Sequence, residues 1–209
     1  MQFATLRFMH KETFIFIGAS GSGKGTQVAL LEEYLKKKDT MSPILHVQTG
    51  AYFREFIKGE TYAARIARGV QEAGELQPSF LAMWLWSDLF VKNLTGNEHL
   101  ILDGAPRTLS EAHHLDIAMK FFKREQPAVI YIKVSRQWSF EHLMARAQKE
   151  GRKDDTETSI NRRLDWFDHD VVPAINYYRR DRDYDFIEVN GERTIEEVHR
   201  DIIANAFGE

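Results

Sequence analysis

The chain contains no cysteine. Disulfide staples and thiolate-ligated zinc are thereby excluded, and the composition fits a reducing compartment. No sign of charge dominates either: 28 Lys and Arg stand against 31 Asp and Glu, a net charge of −3. That leaves no electrostatic footprint for nucleic acid, so a tight arginine cluster must serve something local and anionic. No apolar run approaches membrane-spanning length, so no membrane partner is expected. Residues 1–11 include Arg7, His10 and Lys11 and lack a long apolar stretch, which argues against a signal peptide. A soluble, cytoplasmic protein is the expectation. Repeats, low-complexity tracts and interdomain linkers are absent too. The 209 residues predict one domain, 1–209, with a full core and room for small insertions.

What the chain does have is Gly18-Ala19-Ser20-Gly21-Ser22-Gly23-Lys24-Gly25-Thr26, directly after the apolar run Phe14-Ile15-Phe16-Ile17. A strand, a glycine-rich loop and a helix in that order are what a phosphate-binding loop requires. The glycines let the backbone wrap closely round a phosphate chain, with N–H groups turned inward at the positive end of the helix dipole. Lys24 supplies a point charge for the terminal phosphates, and the Thr26 hydroxyl is nearby. Gly25 stands where many such loops carry a Mg²⁺-binding Ser or Thr.

Short apolar or β-branched runs at 14–17, 44–48, 100–102, 128–134 and 186–189 read as five strands. Between them lie helical faces such as Val28, Leu31 and Leu35, or Ile195, Val198 and Ile202. The alternation predicts an α/β fold, a parallel sheet covered by helices on both faces, with ligands beyond the carboxyl ends of the strands. Residues from about 51 to 91 look mostly helical, return no strand and predict a small helical subdomain. The polar stretch 148–155, flanked and occupied by arginines, predicts a short lid rather than a plain connection.

Five arginines carry the chemistry: Arg54, Arg107, Arg146, Arg152 and Arg163. Singly, each reads as a surface salt bridge. Converging on the loop, their guanidinium forks would cage several phosphates and match the charge that builds up in phosphoryl transfer. Asp103, at the end of the apolar run Leu100-Ile101-Leu102, is placed to hold Mg²⁺ through water. No glutamate beside it is evident as a base for activating water, which favours transfer to an acceptor phosphate over hydrolysis. Trp84 and Trp86 read as helix packing, and Trp166, Phe167 and His169 as core and rim.

The ordered motifs resemble the adenylate kinases. Gly-Ala-Ser-Gly-Ser-Gly-Lys-Gly-Thr-Gln at 18–27 is similar to the phosphate-binding loop of that family. Thr49-Gly50-Ala51-Tyr52-Phe53-Arg54 resembles its Thr-Gly-Asp-x-x-Arg, and Asp103-Gly104-Ala105-Pro106-Arg107-Thr108 its Asp-Gly-Phe-Pro-Arg-Thr. Gly151-Arg152-Lys153-Asp154-Asp155 with Arg163-Leu164 resembles the short-lid members that lack zinc. The resemblance implies a P-loop NTPase fold with a five-stranded parallel sheet, an acceptor-binding subdomain at about 50–78 and a lid at about 147–156. It implies a monomer that takes ATP and a nucleoside monophosphate, most simply AMP, with Mg²⁺. Gly18, Ser20, Gly21, Ser22, Gly23, Lys24, Gly25 and Thr26 would hold ATP, together with His142, Arg146 and Arg193. Thr49, Arg54, Gln77, Gly104, Arg107, Glu111, Arg152 and Arg163 would hold AMP. Catalysis would rest on Lys24, Arg107, Arg146, Arg152 and Arg163, and the metal on Asp103.

Four departures stand out. Ala51 replaces the family aspartate, Ala105 the phenylalanine, and His142 an arginine that packs on the ATP base. Glu111 matters more, since it matches a glutamine that reads the adenine of AMP. An ionised carboxylate accepts from an exocyclic amine but cannot donate to a ring nitrogen. A related kinase acting on GMP, CMP or UMP therefore stands as the alternative, followed by a non-catalytic adenylate-binding module and then a hydrolase.

Overall fold

The computed structural model describes residues 11–150 and 156–209. Strand β1 (Thr13–Ile17) feeds helix α1 (Lys24–Lys38) through the glycine loop. Then come β2 (Ile44–Gln48), α2 (Thr49–Phe56), α3 (Tyr62–Glu72) and α4 (Ser79–Asn93). Next are β3 (His99–Asp103), α5 (Leu109–Phe121), β4 (Ala128–Lys133) and α6 (Arg136–Glu150). Helix α7 (Glu157–Trp166) passes through a π-helical turn, Phe167–Val171, into α8 (Val172–Arg180). Strand β5 (Asp185–Asn190) and α9 (Ile195–Phe207) complete the chain.

The five strands form one parallel sheet in the order β2-β3-β1-β4-β5. All five predicted strands are present, β1, β3 and β5 starting one residue earlier than the apolar runs do. Thr13, His99 and Asp185 are polar, yet the ladder includes them because their backbones pair at the rim of the sheet.

Side chains of successive strand residues go to opposite faces, and the core divides accordingly. Phe14 and Phe16 pack with Ile101, Ile130 and Ile132 against Val28, Leu31 and Leu35 of α1 and Val198 and Ile202 of α9. Ile15 and Ile17 pack with Leu100, Leu102 and Val129 against Trp86, Leu115, Ile175 and Tyr178. Covered on both faces, the strands read as continuous apolar runs. A separate small core of Phe53, Ala67, Leu81, Ala82 and Leu85 holds α2, α3 and α4 together. Trp86 is buried in the main core, while half-exposed Trp84 rests on the Phe56 ring at 5.7 Å, so both serve packing.

Because β3 inserts between β1 and β2, the connections leaving β1 and β3 diverge at their carboxyl ends. This switch point opens a crevice there. The glycine loop, the Thr49 turn and the Asp103 turn all line up along it. Among the described residues no helix is long and apolar enough to cross a membrane.

Candidate active site

A cleft of about 540 Å³ occupies that crevice, within the size range of small-ligand sites. Its floor is the 20–26 loop with Asp103 and Gly104; its walls include Arg54, Gln77, Arg107, His142, Arg146 and Arg163. Sequence positions from 20 to 166 thus meet in one space. Gly18 sits beneath the loop and lines a small adjoining cavity.

Lys24 lies at the centre. Its ammonium donates to the carbonyls of Gly18 at 2.6 Å and Ala19 at 2.8 Å. Burial lowers its pKa to about 8; nearby Asp103 opposes that shift, and the charges of Arg107 and Arg146 add to it. Burial also lowers the pKa of Arg107, where Glu111 and Asp103 act against the shift and Arg54 and Arg163 act with it. The cations therefore sense one another, an unfavourable cluster that an oligophosphate would relieve.

Two of these cations lie over Gly50. A methyl group on Gly50 would lie 3.4 Å from Arg54 Nη1 and 3.8 Å from Arg107 Nη2. Arg107 is held by its Nε, which donates to the Gly104 carbonyl at 2.7 Å. Asp103 is buried at the end of β3, beside Gln48 in the β2 register; Gln48 Nε2 donates to its Oδ2 at 3.4 Å. One carboxylate oxygen donor facing a phosphate cleft suits Mg²⁺, which takes few protein ligands and completes its shell with water and phosphate.

Glu111 is 1 % exposed and does not reach the cleft wall. Its Oε2 accepts from the Arg107 backbone N–H at 2.9 Å, and its own N–H donates to the capping Thr108 hydroxyl at 3.1 Å. Oε1 is buried without a hydrogen-bond partner among the described residues. Burial raises its pKa against the lowering pull of the Arg107 amide and charge and of the Ser79 and Thr108 hydroxyls. Gln77 is buried at the wall, with Nε2 donating to the Ala67 carbonyl at 2.7 Å. Thr49 is buried behind the turn, and its hydroxyl has no partner among the described residues.

His142 lines the cleft and stacks on Trp138, ring centres 4.3 Å apart and planes 22° from parallel. Arg193 lies apart from the cleft wall. Glu197 and Asp201, one and two turns along α9, draw its guanidinium into ion pairs. Arg152, with the rest of 151–155 in the expected lid, falls outside the described residues, while 147–150 continue helix α6.

Trp166 is the wall residue that sequence reading assigned to core and rim. It lines the cleft, its ring centre 5.8 Å from the Arg107 guanidinium carbon. The signal was its spacing, three residues after Arg163 and so on a neighbouring face of the same helix. The π-helical turn begins directly after it, with Phe167 and Val171 in the core. Gln48 and Gln71 also line the cleft and were not foreseen.

Comparison with known proteins agrees with this geometry. The family model described as "Adenylate kinase" matches residues 16–183. The chain is 32% identical over 218 residues to "Adenylate kinase" from Desulforudis audaxviator (strain MP104C), covering 91% of this chain and 97% of that protein. It is 33% identical to "Adenylate kinase" from Azobacteroides pseudotrichonymphae genomovar. CFP2, covering 89% and 92%. With "Adenylate kinase" from Clostridium botulinum (strain Loch Maree / Type A3) the identity is 32%, covering 93% and 97%. The parallel sheet, the phosphate loop and the matched sequence together place this chain in the adenylate kinase family.

Proposed function

We propose that the protein transfers the terminal phosphoryl group of ATP to AMP reversibly, giving two ADP. The observation that carries this reading is the ring of Lys24, Arg54, Arg107, Arg146 and Arg163 about one cleft, with Asp103 as the carboxylate among them. Hydrolysis needs no such second set of cations. Transfer between two phosphate chains does, because both reactants bring negative charge to the same place.

In this reading the loop amides and Lys24 hold the donor phosphates, Lys24 exchanging its loop carbonyls for phosphate oxygens. The His142–Trp138 stack receives the donor base. Arg54 and Arg107, brought together over Gly50, hold the acceptor phosphate in line. Arg146 and Arg163, with Arg152 from the lid, gather round the transferring group and neutralise its charge. Asp103 would hold Mg²⁺ through water, and the metal would supply neutralising charge to the donor phosphates. The segment at about 50–78, with its own small core, acts as the acceptor subdomain, and the lid at about 147–156 closes over the donor to exclude water. Arg193 meets the donor only if its ion pairs on α9 open. A monomer in the cytoplasm suffices for all of this.

Product analysis tests the reading. Protein, ATP and Mg²⁺ are mixed separately with AMP, GMP, CMP or UMP. ADP formation with AMP, lost in Lys24→Ala, is the expected result. Preference for another monophosphate would reassign the acceptor, and no transfer to any would refute the kinase reading.

A further inference from the structure

Three contacts converge where α7 ends. The Arg107 guanidinium carbon lies 5.8 Å from the centre of the Trp166 ring, within cation–π range. The indole N–H of Trp166 donates to the Gly74 carbonyl at 3.4 Å. Earlier on α7, Arg162 Nη1 donates to the Ala73 carbonyl at 2.6 Å. A Cβ on Gly74 would come within 3.0 Å of the Ser159 Cβ. Ser159, Arg162 and Trp166 follow one another at helical spacing, so one side of α7 is fitted to the Ala73–Gly74 turn. That turn belongs to the wall formed by Gln71, Gly74, Glu75 and Gln77.

Arg107 needs restraint. The Nε bond to Gly104 fixes its stem, while Glu111 and Asp103 attract its charge and Arg54 and Arg163 repel it. A carboxylate at the position of Trp166 would restrain the guanidinium but compete with an incoming phosphate for its N–H donors. A ring face attracts the cation through its quadrupole and leaves the in-plane donors available.

We infer that Trp166 is a positioning residue for the acceptor site: its ring face holds the Arg107 guanidinium, and its N–H ties that arrangement to the Ala73–Gly74 turn. The inference rests on the reading of Arg107 as an acceptor-phosphate ligand. It makes AMP affinity depend on an aromatic face at position 166.

Trp166→Phe keeps a π face, and Trp166→Leu keeps apolar bulk without one. AMP is titrated calorimetrically into wild type and both variants, and kcat and the KM for AMP and for ATP are measured in parallel. Trp166→Leu should weaken AMP binding about three- to thirtyfold, the range spanned by cation–π contacts, with Trp166→Phe much nearer wild type. The KM for ATP should stay within about twofold in both, since the contact does not touch the donor side. Equal AMP affinity in all three proteins, equal weakening by Phe and Leu, or parallel loss of ATP and AMP would overturn the inference. Ring-dependent AMP binding without ADP formation in wild type would instead sink the kinase reading and leave the role of Trp166 standing. Normal turnover with AMP affinity indifferent to the ring would do the reverse. Failure of wild type to bind AMP would remove both.

Discussion

The Lys24 ammonium donates to the Gly18 carbonyl at 2.6 Å, so the phosphate loop grips its own lysine. The site therefore depends on the charge state of one buried group.

With burial holding the pKa of Lys24 near 8, the free protein carries a charged lysine below that pH and a neutral one above it. Donor phosphates favour the charged form, so ATP binding above pH 8 takes up a proton. ATP affinity should fall by up to about tenfold per pH unit there, and stay flat below. Calorimetry at pH 9 in two buffers of different ionisation enthalpy measures the uptake. Lys24→Met should bind weakly with no proton uptake; the same uptake in the variant would assign it to another group.

Arg107 is expected to matter for its shape as much as its charge. Its Nε is committed to Gly104 while the fork faces the cleft. Removing it in Arg107→Ala should lower kcat/KM for AMP by on the order of 10³, as loss of a cation at a transferring phosphoryl group does. Arg107→Lys should recover little of this, because an ammonium cannot present two parallel donors in the guanidinium's fixed fork. Steady-state kinetics decide it, and a lysine variant near wild type would refute the fork argument.

Glu111 links protonation to stability. A carboxyl with a raised folded pKa binds more protons when folded, so its contribution to stability diminishes as pH rises from the ordinary value near 4.5 toward the folded value. Glu111→Gln removes the ionisation and keeps the shape. Its denaturation midpoint should exceed that of wild type at pH 8, with the difference shrinking toward pH 4.5. A difference that ignores pH would show that the Glu111 carboxylate is well solvated.

Gly74 has φ +71, and an added Cβ would also come within 3.2 Å of the Ser159 Cα. Gly74→Ala therefore combines left-handed backbone strain with a collision against helix α7. A loss of about 1–3 kcal/mol by chemical denaturation is expected. The KM for AMP should rise as the Ala73–Gly74 turn leaves Trp166 and Arg162. Unchanged stability would mean that the turn is not seated on α7.

Much of this was legible in the sequence because the informative residues are local. The run at 14–26 encodes strand, turn and helix start within one stretch, and Asp103-Gly104-Ala105-Pro106-Arg107 carries both carboxylate and cation off one strand end. Burial of the sheet on both faces turned its strands into visible apolar runs. Contacts between distant segments were another matter. Trp166 looks like any aromatic on an amphipathic helix until α7 meets the turn at 73–74. Glu111 announced a departure from the family, but its inward turn onto the Arg107 amide required the α5 cap to be seen. Arg193 is placed at the ATP site by the family resemblance, and only the acidic side chains of α9 show where its guanidinium goes.

The most direct test of the central claim supplies the protein with ADP and Mg²⁺ alone and follows the phosphorus resonances. Two ADP bound as donor and acceptor should disproportionate into ATP and AMP in equal amounts, a reaction that needs both phosphate sites in one cleft. Appearance of ATP and AMP together, abolished in Lys24→Ala, is the predicted result. Release of inorganic phosphate, or no change while ADP binds, would contradict it.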